Sequence, residues 1–253
     1  MLDLFSQFAI NRLIVKGFLN CAPLKLDGDI GTNSKKAILL VVDFCKNLFS
    51  KKGYTDLEAV EYVGLRLSNQ YTNTFSDVAV FWDTQNPQNT RLVEISTTPG
   101  VYGAGTITQP VPIYTKQFPN GFSGVAVLVA DRYKDAWFLV EENGCMASNG
   151  QFFKKWSGAP YLMQAQSVSI GRDGDKDLII DPQVFEKDNA GAGGVEFGIN
   201  HHSYYNYEAD IVNSISLGCQ VFKRGRLDAI LPFWRQMTKI KASKRITYTL
   251  FQL

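Results

Sequence analysis

The spacing of apolar residues changes period near residue 75, and this break constrains the fold more than any other feature of the chain. Before it the repeats are helical. Ile10, Leu13, Ile14 and Gly17 follow i, i+3, i+4, i+7, with Gly17 placed to stop the helix. Ala37, Val41, Phe44 and Leu48 repeat the spacing behind Thr32, Asn33 and Ser34, any of which can cap. Thr55-Asp56-Leu57-Glu58 reads as a capping box opening a third helix, with Val60, Val63 and Leu67 on one face. Past Asn73 come short β-prone runs, Val78–Trp82, Leu92–Ile95, Gly124–Ala130, Trp137–Val140 and Tyr161–Ile170, broken by Gly, Pro and Asn. Ile246, Tyr248 and Leu250 alternate with Thr247 and Thr249 as a half-buried final strand. The expectation is an α+β chain: a small N-terminal three-helix bundle over residues 1–75, then a mostly β sandwich or barrel over 76–253.

Composition narrows the function classes. With 45% apolar and 20% charged residues, the chain has the side chains for a sizeable core and is neither disordered nor a disulfide-dense miniature. Its net charge of +2 is far from that of a basic nucleic-acid binder. Cys21, Cys45, Cys145 and Cys219 are scattered, which argues against a structural zinc site and a disulfide framework. The longest apolar run, Ala37 to Val42, is too short to span a bilayer. Asp3 stands where a secretory leader carries Lys or Arg, so no Sec signal is expected. Between Lys223 and Arg245 eight Lys and Arg face one Asp, a solvated surface or a face for an anionic polymer such as nucleic acid or a cell-wall polyanion.

Between the first two helices runs Leu24-Lys25-Leu26-Asp27-Gly28-Asp29-Ile30-Gly31-Thr32. Asp27-Gly28 suits a tight turn, and Gly31 permits positive φ before a helix cap. The paired aspartates lack a third ligand at the next odd position, and Ile38 stands where a calcium loop needs Glu. The segment resembles the peptidoglycan-binding three-helix module, whose loop reads Asp-Gly-x-x-Gly before a helix carrying Ala-Val or Ala-Ile. That resemblance implies a glycan contact at Asp27 and Gly28. The second helix starts Thr32-Asn33-Ser34, without the Pro usual in that module.

Only two histidines exist, His201 and His202, and Cys219 follows within 19 positions. A free cysteine is ordinarily buried packing; a nucleophilic one needs a base within hydrogen-bond reach and donors for an oxyanion. On a strand His201 and His202 point to opposite faces, so one of them can serve as the base. Phe197-Gly198-Ile199-Asn200-His201-His202, followed by Ser216-Leu217-Gly218-Cys219-Gln220-Val221-Phe222, is similar to the catalytic segment of the L,D-transpeptidase family. Its Gly-Ile-Asn-x-His frame and Ser-x-Gly-Cys-Gln-Val ending match a divergent branch common in phage genomes. Ile95-Ser96-Thr97-Thr98-Pro99-Gly100 and Gln164 through Arg172-Asp173, with Asp175 and Asp177, look like further landmarks of that branch. Leu217 replaces the family's second histidine, and Gln220-Val221 its usual Ile/Val-Arg. Asp173, Asp175 and Asp177 also resemble half a calcium loop, but Leu178 and Val184 occupy its Gly and Glu positions, which favours a solvated turn. Gly191-Ala192-Gly193-Gly194 reads as a flexible loop before the histidines.

The resemblance implies an L,D-transpeptidase-like cysteine enzyme that cuts or rejoins the peptidoglycan stem peptide through an acyl-cysteine. Cys219 would be the nucleophile, His202 the base, Ser216 its orienting partner, and the amides at Gly218 and Cys219 the oxyanion donors. Asn200, His201 and Arg172 would border the substrate. No metal and no cofactor are called for. The expected partner is peptidoglycan, with no nucleic acid and no membrane span. A wall-directed chain without a Sec leader suggests a phage lysis or virion protein made in the host cytoplasm, or an injected effector. The alternative is a non-catalytic wall-binding or virion structural protein that keeps the fold.

Overall fold

The computed structural model describes residues 1–69, 74–98, 126–141, 145–146, 152–153, 160–172, 185–187, 199–203 and 219–253. In chain order the elements are α1 (Leu2–Val15), α2 (Thr32–Lys51), β1 (Val60–Arg66), β2 (Asp77–Asp83), β3 (Arg91–Ile95), β4 (Ala126–Leu128), β5 (Arg132–Val140) and β6 (Cys145–Met146). They continue with β7 (Phe152–Phe153), β8 (Tyr161–Gln164), β9 (Ser169–Arg172), β10 (Phe185–Lys187), β11 (His201–His202), β12 (Gln220–Val221), α3 (Arg224–Ile240) and β13 (Arg245–Gln252). The architecture is α+β and mostly β. No helix among the described residues is long and apolar enough to cross a membrane.

Eight strands form one sheet in the order β12-β11-β8-β5-β13-β1-β2-β3. The β1–β13 and β11–β12 pairs are parallel and the others antiparallel. Its two ends meet: just past β3, Ser96 forms an isolated bridge with Val221 of β12, exchanging two N–H···O bonds of 2.9 Å. The sheet therefore curls into a nearly closed barrel with a one-bridge seam. A smaller sheet, β10-β9-β4, and the β6–β7 hairpin accompany it.

Two cores flank the sheet. Tyr62, Phe81, Ile95, Trp137, Leu162 and Tyr248 point to one side, where α3 lays Leu227, Ile230 and Trp234 against them. Val63, Leu65, Val80, Trp82 and Phe251 point to the other, under α1 and α2. Helix α2 buries Ala37, Ile38, Val41, Val42, Cys45 and Phe49, a stripe at i, i+3, i+4 spacing rotated from the expected one; Phe44 and Leu48 lie at its half-buried margin. Helix α1 buries Phe5, Ala9, Ile10 and Leu13 and stops before Gly17 at φ +79°. Its Ser6 hydroxyl accepts from Leu92 N–H at 3.1 Å and donates to Leu92 C=O at 3.2 Å. Both groups lie on the outer edge of β3, so the helix covers an open sheet edge.

The expected third helix is corrected to a strand. Val60–Arg66 is β1, wholly buried between β13 and β2. Val60, Val63 and Leu67 fit a helical stripe, but every residue from 60 to 66 meets packing on one face or the other, and such two-sided burial hides period two. Glu58 closes no capping box: its carboxylate is taken by Lys241 at 2.6 Å and the Thr247 hydroxyl at 3.1 Å. The expected boundary between 1–75 and 76–253 falls between β1 and β2, which are antiparallel neighbours. The break in sequence texture does not coincide with a break in the sheet.

Candidate functional site

Strand β11 brings the two histidines to the seam, where alternation sends them apart. His201 pairs with Gln220 and His202 with Val221 across the parallel β11–β12 ladder. His201 faces the α3 side of the sheet. Its Nδ1 lies 2.8 Å from the Tyr62 hydroxyl, and the Trp137 and Tyr248 rings stand edge-on at 4.7 and 4.6 Å. Burial and the neighbouring His202 hold its imidazole well below the usual range. His201 is thus corrected from a substrate contact to a core residue, sealed at 0% exposure.

His202 shares the opposite face with Val221 and, two residues earlier on β12's side, Cys219. Cys219 is half-buried against Phe75 and Val221. Its sulfur accepts the Asn200 N–H at 3.5 Å, and Asn200 Oδ1 accepts Gln164 N–H at 3.0 Å, fixing β11 against β8. His202 sits one diagonal step from Cys219, since its ladder partner is Val221, two residues further on. Desolvation pushes the Cys219 thiol up to about 11, with the Asn200 N–H pulling the other way. It pushes the His202 imidazole down to about 4. Both groups are therefore neutral near pH 7, a thiol with its proton and an imidazole free of charge.

Behind the seam lies a polar cluster that sequence reading did not find. Thr97, at 0% exposure, donates its hydroxyl to Asp77 Oδ2 at 2.6 Å and its N–H to the same oxygen at 3.0 Å. Arg66 Nε donates to the Thr97 hydroxyl at 2.9 Å and Nη2 to the Thr97 carbonyl at 3.0 Å. Gln220, next to Cys219, donates to the same carbonyl at 3.5 Å and accepts the Tyr248 O–H at 3.1 Å. The one available signal is a charged residue at each edge of a largely apolar run, Arg66 after Val60–Leu65 and Asp77 before Val78–Trp82.

The remaining expected positions divide. Ser216 and Gly218 lie outside the described residues, as do Asp173, Asp175, Asp177 and the 191–194 loop. Arg172 ends β9, where it pairs with Ala126. Asp27 lines a cavity of about 470 Å³ at the start of α2, together with Pro23, Lys25, Asp29, Lys36 and Leu40, whereas Gly28 lies in the adjoining turn and not on the cavity wall. The buried Gln7 organises that loop: its amide nitrogen donates to Asp27 Oδ1 at 2.9 Å and its oxygen accepts Gly28 N–H at 2.9 Å. Gln7 and the Asp29 N–H hold the Asp27 carboxyl below the ordinary range. Gly28 turns at φ +76°, as the Asp-Gly pair predicts, whereas Gly31 caps α2 in extended conformation at φ −71° and needs no glycine-only geometry. Of the eight basic residues in the 223–245 stretch, Arg226 pairs with Glu94, Arg235 with Glu141 and Lys241 with Glu58 and Asp135. No known protein family, curated protein or solved structure matches the chain.

Proposed function

We propose that the protein is a peptidoglycan stem-peptide enzyme, L,D-transpeptidase-like, acting through an acyl-Cys219 intermediate. The observation that carries the reading is the shared face of Cys219 and His202 on neighbouring parallel strands at the seam, beside Ser96–Thr98. His202 takes the thiol proton as sulfur attacks the carbonyl after the third, L-centred stem residue. Backbone amides at Gly218 and Cys219 stabilise the tetrahedral oxyanion. Collapse expels the amine, which receives the proton from His202 and leaves a thioester. Water then gives a carboxypeptidase or endopeptidase product, and an amine acceptor gives a crosslink. The Asp27–Gly31 loop and its cavity retain the enzyme on the wall by raising its effective concentration. Phage lysis or a virion is the proposed setting, on the branch resemblance alone.

A second reading is favoured by one observation, the burial that keeps the Cys219 thiol protonated. It is a non-catalytic wall-binding or virion structural protein. Incubation with purified sacculi, followed by mass spectrometry of the muropeptides, decides between them. The enzyme reading expects new muropeptides from the wild type and none from Cys219→Ala or His202→Ala. No product from the wild type, or equal product from Cys219→Ala, overturns it.

A further inference from the structure

We propose that Thr97, Gln220 and Tyr248, anchored by buried Arg66 and Asp77, are the positioning residues that hold Cys219 in register at the barrel seam. The inference takes Cys219 as the reactive group of the reading above. The seam has one backbone bridge, Ser96–Val221, where ordinary strand pairs in this sheet have several. On its other edge this two-residue strand is held by β11, with Gln220 N–H donating to the Asn200 carbonyl at 2.9 Å and Phe222 N–H to the His202 carbonyl at 2.8 Å, so the single bridge is its only backbone hold on the seam side among the described residues. What supplements it is side-chain bonding to the residue directly after the cysteine: Gln220 is strapped on one side to the Thr97 carbonyl and on the other to the Tyr248 hydroxyl.

The strap is built on groups that cannot easily move. Asp77 is tied to β1's end through Leu67 N–H at 2.9 Å and to Thr97 through two bonds. Arg66 reaches across to the Leu128 carbonyl at 2.9 Å as well as to Thr97. Arg66 and Asp77 are each 2% exposed, so a loosened contact leaves a charge short of partners in a dry site. Thr97 is the junction: its hydroxyl, N–H and carbonyl together serve Arg66, Asp77 and Gln220. Tyr248 is itself fixed, because β13 lies beside β1 and its ring fills the space left by Gly64, where a Cβ would come within 2.7 Å of Cζ. Cys219 and Gln220 alternate faces, so the strap grips the side of β12 opposite the thiol.

Burial is the main cause of the raised Cys219 thiol, so loosening the seam admits water and makes the sulfur more acidic. That gives a readout needing no substrate: the rate at which iodoacetamide alkylates Cys219, quantified by peptide mass spectrometry from pH 7 to 10, with Cys21 in the same molecules as the reference thiol. Thr97→Val and Tyr248→Phe should each raise the pH 8 rate at Cys219 by about tenfold or more, one pKa unit's worth of thiolate, with Cys21 unchanged. Thr97→Ser, which keeps the hydroxyl, should return the rate toward wild type. On sacculi the first two variants should lower kcat with KM little changed. The proposal is overturned if Cys219 alkylation is unchanged or slowed in both variants, or if Cys21 and Cys219 accelerate together, the mark of general unfolding. Absence of any wild-type turnover on sacculi would remove the enzyme reading, while the alkylation result would still decide the positioning role.

Discussion

Arg132 and Glu61 join β5 to β1 through a buried fork whose side chains are 3% and 0% exposed. Nη1 donates to Oε2 and Nη2 to Oε1, both at 3.0 Å, and the guanidinium also reaches the Asp56 carbonyl at 2.9 Å and Thr249 Oγ1 at 3.2 Å. It lies 5.2 Å above the Phe49 ring. Arg132→Met keeps most of the stem, removes the charge and strands a carboxylate in the core. Taking one partner from a buried pair costs about 3–5 kcal/mol, and the lost ring contact adds about 1 kcal/mol. Burial already raises the Glu61 carboxyl, with Arg132 as the main opposing pull, so the variant raises it further. A carboxyl raised in the folded state binds its proton more tightly folded than unfolded. Its penalty is therefore absent below the unfolded carboxylate range and grows as pH climbs through the folded value. Urea unfolding followed by tryptophan fluorescence should show the deficit largest at pH 8 and much reduced at pH 5. Arg132→Met/Glu61→Leu, which removes both charges, should recover most of the loss at pH 8. A single-variant loss below about 1 kcal/mol at pH 8, the range of an exposed pair, would refute the reasoning. So would a deficit that is equal at both pH values.

Three further outcomes are expected. In the wild type, Cys219 alkylation should climb about tenfold per pH unit from 8 to 10, because burial holds its thiol up to about 11; a plateau by pH 9 would contradict that. Gly64→Ala should cost about 1–3 kcal/mol by chemical denaturation, since the new methyl meets the Tyr248 ring and Leu250 Cδ1 at 2.9 Å; a neutral effect would mean that β13 yields freely. Gln7→Leu should let the Asp27 carboxyl rise toward its ordinary range in an NMR titration and weaken retention on sacculi, and an unmoved Asp27 midpoint would show that the loop holds itself.

Much of this architecture was legible because local rules were sufficient. Gly17 and Gly28 adopt the positive φ that a helix stop and an Asp-Gly turn require. The strands over Val78–Trp82, Leu92–Ile95 and Ile246–Leu250 lie where β-branched and aromatic runs put them. The opposed faces of His201 and His202 followed from strand alternation once both lay on one strand. Val60–Arg66 was misread because a strand buried on both faces loses its alternation, and three apolar residues then fit a helix by coincidence.

The sequence by itself determined what depends on neighbours a few residues apart: helices α1 and α2, the turn between them, most strands, and the concentration of both histidines and one cysteine into a short stretch. The tertiary structure alone decided what depends on residues far apart in the chain. It put His201 in the core and His202 on the face of Cys219, because register with β12 sets which side each strand position meets. It also assembled Arg66, Asp77, Thr97, Gln220 and Tyr248, separated by up to 182 positions, into one hydrogen-bonded group behind the cysteine. No local pattern encodes that group, since its members come from separate strands and Gln220 reaches Thr97 only because the sheet closes on itself.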